Sequence, residues 1–159
     1  METDTIPVLD SIFIEPASKQ VHMPSTHPIL MITVAGGIIQ KDDKILIAQR
    51  HRDDTHGLKW EFPGGTLKPD ECGEDGVVRE IMEELGIVVD VVCYYGSYTE
   101  PPLRILYYLL RYVSGEIRLT EHEQANWITK DELLDYDLLS GDLIIAQNLL
   151  SHPKNPLSR

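Results

Sequence analysis

An α/β (α+β) fold, with a mixed β-sheet lying between helices, is what the sequence predicts, and three observations predict it. Runs rich in Val, Ile and Tyr stand on either side of one strongly periodic helical segment, and a second apolar-periodic segment closes the chain. The composition is that of one domain: 159 residues, 42% hydrophobic and 25% charged, enough for a sizeable core and too few for a second full domain.

The elements follow in order. Residues 1–28 carry short apolar clusters, Ile6 to Leu9 and Ile12 to Ile14, broken by Pro16, Pro24 and Pro28, and read as an N-terminal extension, either a flexible tail or an edge strand. The domain proper is expected over residues 29–152, with a short C-terminal tail at 153–159. Met31 to Ile39, polar Gln40 to Lys44, then Ile45 to Ala48 make a strand, a tight turn and a strand. After a polar loop, Trp60-Glu61-Phe62 is a short strand that Pro63-Gly64-Gly65 turns sharply. Val77, Ile81 and Leu85 recur at i, i+4 and i+8 with Val78 and Met82 beside them, and Gly86 supplies the left-handed helix stop. Ile87 to Tyr95 and Leu103 to Val113 read as strands, as does the shorter Ala125 to Ile128. Thr129-Lys130-Asp131-Glu132 is a capping box opening a short helix, and Asp142 stands at the N-cap of a last helix carrying Ile144, Ile145, Leu149 and Leu150.

Charge narrows the function. Lys plus Arg number 14 against 26 for Asp plus Glu, a net charge of −12, which disfavours a broad basic surface for a nucleic acid polymer or an anionic membrane. An anionic ligand would have to be brought in by cations. The longest apolar runs, Ile29 to Ile39 and Ile105 to Leu110, fall short of the roughly 18 residues of a membrane span. Two cysteines, Cys72 and Cys93, and a start at Met1-Glu2-Thr3-Asp4 without signal-peptide character place the expected setting in the cytoplasm. His51, His56 and His122 read as solvated loop residues, with His122 next to Glu121 within reach of a substrate.

Glu71, Glu74, Asp75, Glu80, Glu83 and Glu84 crowd into one short stretch. On a helix, Glu80, Glu83 and Glu84 project from one face at i, i+3 and i+4, where like charges repel. Taken alone the cluster is either a solvated helix face or a platform for a hard divalent cation such as Mg²⁺ or Mn²⁺.

The ordered context decides between these. Gly65, five residues, Glu71, seven residues, then Arg79-Glu80-Ile81-Met82-Glu83-Glu84-Leu85-Gly86-Ile87 match the complete Nudix box, Gly-x5-Glu-x7-Arg-Glu-U-x-Glu-Glu-x-Gly-U with U aliphatic. The chain resembles the Nudix hydrolases, and from about Leu30 to Leu150 it looks like their MutT-type branch. The resemblance implies an α/β/α sandwich, hydrolysis of nucleoside diphosphate linkages, and Mg²⁺ (Mn²⁺ as substitute) held by Glu80, Glu83 and Glu84. The Gly64-Gly65 turn brings a backbone carbonyl near the cations. It also implies a structural pair between Arg79 and Glu71, and a catalytic base that is either Glu80 or a loop glutamate. Glu121, six residues before Trp127, occupies the position of the fourth metal-binding glutamate of MutT-like chains.

The substrate is read from positions outside the box. Ile45 to Arg50, Trp60 to Gly65 and Glu121 to Trp127 resemble the 8-oxo-dGTP diphosphatases and the CTP pyrophosphohydrolases together. Arg50 matches a phosphate-contacting arginine, or caps a strand end. Ile32, Val34 and Phe62 match pocket-lining apolar positions, or are plain core. Asp142 falls where MutT carries a base-reading asparagine. An ionised carboxylate can only accept, so Asp142 fits a cytosine amino group, or reads an oxidised guanine if protonated, or is a simple N-cap. The expected activity is conversion of a (deoxy)nucleoside triphosphate to monophosphate and pyrophosphate, 8-oxo-dGTP ahead of CTP or dCTP. The alternatives are ADP-ribose, for which Pro101-Pro102 is a weak pointer, and a non-catalytic nucleotide-binding module, with the chain a monomer or homodimer.

Overall fold

A computed structural model describes residues 28–152, so the expectations for 1–27 and 153–159 lie outside the described residues. Seven strands form one mixed sheet: β1 (Ile32–Lys41), β2 (Lys44–Arg50), β3 (Trp60–Glu61), β4 (Gly64–Thr66), β5 (Val88–Glu100), β6 (Leu103–Ser114) and β7 (His122–Thr129). Helix α1 spans Gly73–Leu85, a 3-10 helix Lys130–Asp135, and helix α2 Ser140–Ser151. The spatial order is β3-β2-β1-β6-β5, with β4 also on β1 and β7 also on β2. Among the described strands only β1 and β6 pair in parallel, in register from Ile32 opposite Leu103 to Gln40 opposite Arg111.

The alternation along the strands builds two cores. Ile38, Ile45, Ile47, Tyr107 and Leu109 belong to one, with Ile145, Ala146 and Leu149 of α2. Their neighbours Ile39, Leu46, Tyr108 and Leu110 belong to the other, with Val77, Ile81 and Leu85 of α1, each fully buried. Successive residues of the central strands thus face opposite helices, as a period of two requires of a sheet covered on both faces. Lys41 adds a surface lock, its ammonium 4.5 Å from the Tyr112 ring centre and 5.7 Å from that of Trp127.

Several boundaries differ from the sequence expectation. β5 runs five residues beyond Tyr95 to Glu100, because the Pro101-Pro102 turn lets Glu100 pair with Leu103 at the start of β6. β7 opens three residues earlier, at His122, since it pairs with β2 along its whole length. Gly86, at φ 69°, ends α1 as expected. The capping box also forms: the Glu132 carboxylate accepts from the Thr129 amide at 2.7 Å and its hydroxyl at 3.0 Å. Asp142, however, is not the N-cap of α2. That place belongs to Leu139, and the Asp142 side chain is buried instead.

What positions the site is the docking of β4 on β1, with Gly36 opposite Gly64 and the Gly37 amide donating to the Pro63 carbonyl at 2.8 Å. A Cβ at Gly64 would overlap the carbonyl oxygen of Ala35, so no other residue lets the two backbones approach this closely. Gly64→Ala is therefore expected to lose about 1–3 kcal/mol in urea unfolding, the range for overpacking a tight interior contact.

Candidate active site

The cleft, about 230 Å³, is reached by residues from every strand but β5, from both helices and from the loops between them. Three groups of side chains line or border it.

The first is acidic. Arg118 donates its amide to the Leu85 carbonyl at 2.9 Å, and the Thr120 hydroxyl reaches the Glu84 carbonyl at 3.2 Å. These bonds satisfy carbonyls left free at the end of α1 and lay the loop before β7 across it, which brings Glu121 beside Glu84. Glu84 is 6% exposed, its Oε2 has no hydrogen-bond partner, and burial first, then the charges of Glu121, Glu80 and Glu61, push its pKa up to about 9. Buried carboxylates without a neutralising partner are costly.

Arg79 holds the other box carboxylates at the border. Its Nε and Nη2 fork onto Glu71 at 2.6 and 2.9 Å, while Nη1 reaches Glu80 at 2.8 Å and Glu83 at 3.0 Å. The three helix carboxylates consequently differ: Glu84 is buried, Glu80 is 14% and Glu83 55% exposed in its side chain, and only Glu84 lines the cleft. Glu80 covers Gly65, where a Cβ would overlap its carboxyl group. Among the described residues no group of three His, Cys, Asp or Glu side chains is drawn together closely enough to hold a metal ion, and Arg79 engages both Glu80 and Glu83.

The second group is Arg50, Glu61 and His122. Arg50 ends β2, donates through Nη1 to Glu61 at 3.0 Å and through Nε to the Thr55 carbonyl at 2.9 Å, and leaves Nη2 with only a 4.0 Å approach of Asp54. His122 Nε2 lies 3.0 Å from the other Glu61 oxygen. The expectation of a solvated His122 is corrected: its side chain is 4% exposed, and Nδ1 is buried without a partner. The length of β7 explains this, since pairing with β2 turns the ring inward opposite Arg50.

The third group is Phe62, Tyr107 and Asp142. Trp60 donates its amide to the Asp137 carbonyl and accepts from the Leu139 amide, both at 2.9 Å, which stitches β3 to the segment entering α2. The next turn then sets Asp142 against Phe62, whose amide donates to Oδ1 at 2.7 Å. The Tyr107 hydroxyl lies 3.4 Å from Oδ2. Asp142 is 3% exposed, and burial pushes its pKa up to about 8, aided by the charge of Glu61 and opposed by the Phe62 and Tyr107 hydrogen bonds. Val34, Phe62, Ile105 and Leu139 give this part of the cleft apolar walls. Ile32 does not contribute: it lies 47% exposed at the start of β1, outside the cleft.

Of the residues singled out from sequence, Arg50, Phe62, Val34, Gly64, Gly65, Glu84, Glu121 and Asp142 meet at the cleft, with Glu80, Glu83, Glu71 and Arg79 on its border. Sequence reasoning missed Glu61 and Tyr107. A glutamate between two buried aromatics was a signal for the first. Nothing distinguished Tyr107 from Tyr108.

With this geometry in hand, the class of protein is defined by a mixed sheet, a carboxylate-bearing helix entered through a Gly-Gly turn, and an arginine fork on the glutamate that precedes it. The NUDIX domain family model matches residues 30–149, and the chain belongs to that family. A CTP pyrophosphohydrolase of Escherichia coli (strain K12) is 35% identical over 125 residues, covering 76% of this chain and 93% of that protein. A MutT-like protein of Streptomyces ambofaciens is 36% identical over 118 residues, covering 72% and 74%. The solution structure of the E. coli ORF135 protein superposes with a TM-score of 0.67 at 31% identity, over 82% of this chain and 96% of that one. Relatives at comparable identity are named for different substrates, so likeness alone does not choose among them. The chain is a Nudix hydrolase acting on phosphorus-containing anhydrides, and no helix among the described residues is long and apolar enough to cross a membrane.

The arginine fork has a pH signature. Hydrogen bonds from Arg79 and from the Lys68 amide lower the Glu71 pKa from 4.5 to about 2. The folded value lies below the unfolded one, so the stabilisation is present above pH 4.5 and is lost as pH falls towards 2. In Glu71→Gln this acid limb is expected to flatten, as read from urea midpoints across that range.

Proposed function

We propose that this chain is a Mg²⁺-dependent pyrophosphohydrolase, with Mn²⁺ as substitute, that converts a (deoxy)nucleoside triphosphate to the monophosphate and pyrophosphate, with 8-oxo-dGTP as the leading substrate. Two observations support a hard divalent cation at these residues. Glu84 keeps a buried oxygen without any partner, and Glu121, Glu80 and Glu61 crowd it with further negative charge. Glu80, Glu83, Glu84, Glu121 and the Gly64 carbonyl are the ligands assigned. Bound there, the cation neutralises phosphate oxyanions and acidifies the attacking water.

The protein's own groups do the rest. Glu80, tethered to Arg79 over Gly65, is assigned as the base that takes the proton from water as its oxygen bonds to phosphorus and the bridging P–O bond breaks towards pyrophosphate. Arg50 is prepared for phosphate because Glu61 and the Thr55 carbonyl fix its plane, while Nη2 makes no hydrogen bond and has only Asp54 at 4.0 Å. Phe62, Val34, Ile105 and Leu139 exclude water from the base.

The single observation that carries the base assignment is Asp142, buried at the cleft with Oδ1 already committed to the Phe62 amide. Below about pH 8 it is an acid, and a neutral carboxyl group, like an amide, has one donor and one acceptor for an oxidised guanine edge. Above that value it only accepts, which suits the amino group of cytosine. This second reading is favoured by the likeness to the CTP pyrophosphohydrolase. Pro101-Pro102 is accounted for by the β5–β6 turn, and nothing in the cleft calls for ADP-ribose.

The test is pyrophosphate release with Mg²⁺ from 8-oxo-dGTP, dGTP, CTP, dCTP and ADP-ribose. The expected outcome is about tenfold or more in kcat/KM for 8-oxo-dGTP over dGTP, roughly 1.4 kcal/mol. The ratio of 8-oxo-dGTP to CTP activity should fall as pH rises through about 8. Silence across the panel would instead mark a binding module. Separately, Glu83→Gln should lose orders of magnitude in turnover with its thermal midpoint unchanged, because a half-exposed carboxylate loses its charge and no core packing is altered. Near-wild-type turnover would remove the cation site.

A further inference from the structure

Tyr107 is a fully buried phenol that no step of the hydrolysis uses, yet it stands at the cleft within reach of Asp142. Its ring packs edge-on against Phe62, with centroids 6.3 Å apart, and the fold keeps space for it on two sides. A Cβ on Gly36 would come 3.2 Å from the ring, and one on Gly141 would come 2.8 Å from the hydroxyl. The ring thus lies against Gly36 of β1 and the hydroxyl against Gly141 in the first turn of α2, on the side of Asp142 Oδ2.

The two carboxyl oxygens of Asp142 are not equivalent. Oδ1 accepts a fixed backbone N–H from Phe62 at 2.7 Å, so a proton on the group sits on Oδ2. Oδ2 is the oxygen facing Tyr107, at 3.4 Å. A hydroxyl donor there stabilises the carboxylate and leaves Oδ2 a further lone pair for a ligand amine. We infer that Tyr107 is a positioning residue for base choice, its hydroxyl tilting Asp142 towards the proton-accepting form and thereby towards bases that present an amino group. This rests on Asp142 being the base reader proposed above.

The groups around the pair act in opposite directions. Burial, and Glu61 on β3, favour the protonated acid, while the Phe62 amide, the amide of Asp142 itself and the Tyr107 hydroxyl favour the carboxylate. Tyr98 on β5 packs against Gly141, but its hydroxyl is spent on Glu100 at 2.7 Å. Burial, with Asp142 and Glu61 nearby, raises the Tyr107 pKa well above its ordinary value, so it remains a donor across the working range. Burial outweighs the hydrogen bonds and leaves the Asp142 pKa at about 8, close enough to neutral pH for the loss of one hydrogen bond to change the fraction that is ionised.

CTP and UTP form the cleanest probe pair, since they differ in presenting an amino or an oxo group at one ring position. Tyr107→Phe keeps the ring and removes only the donor. It is expected to lower the CTP:UTP ratio of kcat/KM about fivefold, the factor corresponding to one net hydrogen bond. In the ligand-free protein the midpoint of the Asp142 carboxyl titration, followed by carbon-13 NMR, should move to higher pH, which a purely packing role would not produce. Gly141→Ala, which crowds the hydroxyl while retaining it, should shift the ratio in the same direction. An unchanged ratio and midpoint in Tyr107→Phe, with Asp142→Ala abolishing the discrimination, would overturn the role of Tyr107 and leave Asp142 as the reader. Discrimination that survives Asp142→Ala would overturn both.

Discussion

Everything at this cleft depends on how closely β4 lies against β1. The contact is backbone against backbone, Gly64 over Ala35 and Gly36, and it fixes where the chain leaves the sheet to begin α1. Helix α1 then has its apolar stripe, Val77, Ile81 and Leu85, seated on β1 and its neighbours, and its rotation about its own axis is set. With the rotation set, Glu84 can only point inward and Glu80 can only lie over Gly65. The carboxylates are placed by the core beneath them, not by attraction to one another.

Their mutual repulsion is distributed unequally. Arg79 offsets it at the border, by binding Glu71, Glu80 and Glu83 together. Inside the cleft Arg50 and His122 serve Glu61 alone, while Glu84 has the charges of Glu121 and Glu80 beside it and no cationic partner among the described residues. A protein of net charge −12 thus concentrates uncompensated acid in its cleft, which is the premise on which the proposed divalent cation rests.

Much of this was legible in the sequence because it follows local rules. The period of α1, the left-handed stop at Gly86 and the capping box at Thr129 are short-range patterns, and each forms as read. The spacing of the box identifies its glutamates from sequence alone. What was not legible depends on long-range register. The extra length of β7 comes from pairing with β2, and it alone converts His122 from a loop residue into a buried neighbour of Glu61. Asp142 was assigned to the wrong helical position because its burial is decided by the Trp60 bonds to Asp137 and Leu139, a tertiary contact with no local signature. Ile32 failed for the complementary reason: an apolar residue two positions from Val34 shares its strand face, but β1 has by then run past the cleft.

The three side-chain groups come from different parts of the chain. The proposed cutting apparatus is nearly continuous, running from Gly64 to Glu84 with Glu121 laid on its end. The surfaces that would meet the base are scattered, one residue or two each from β1, the residue after β3, β6 and the start of α2. A chain divided in this way has separable inheritance: drift at a few dispersed positions can redirect it to another nucleotide while the compact stretch that breaks the anhydride passes down unaltered.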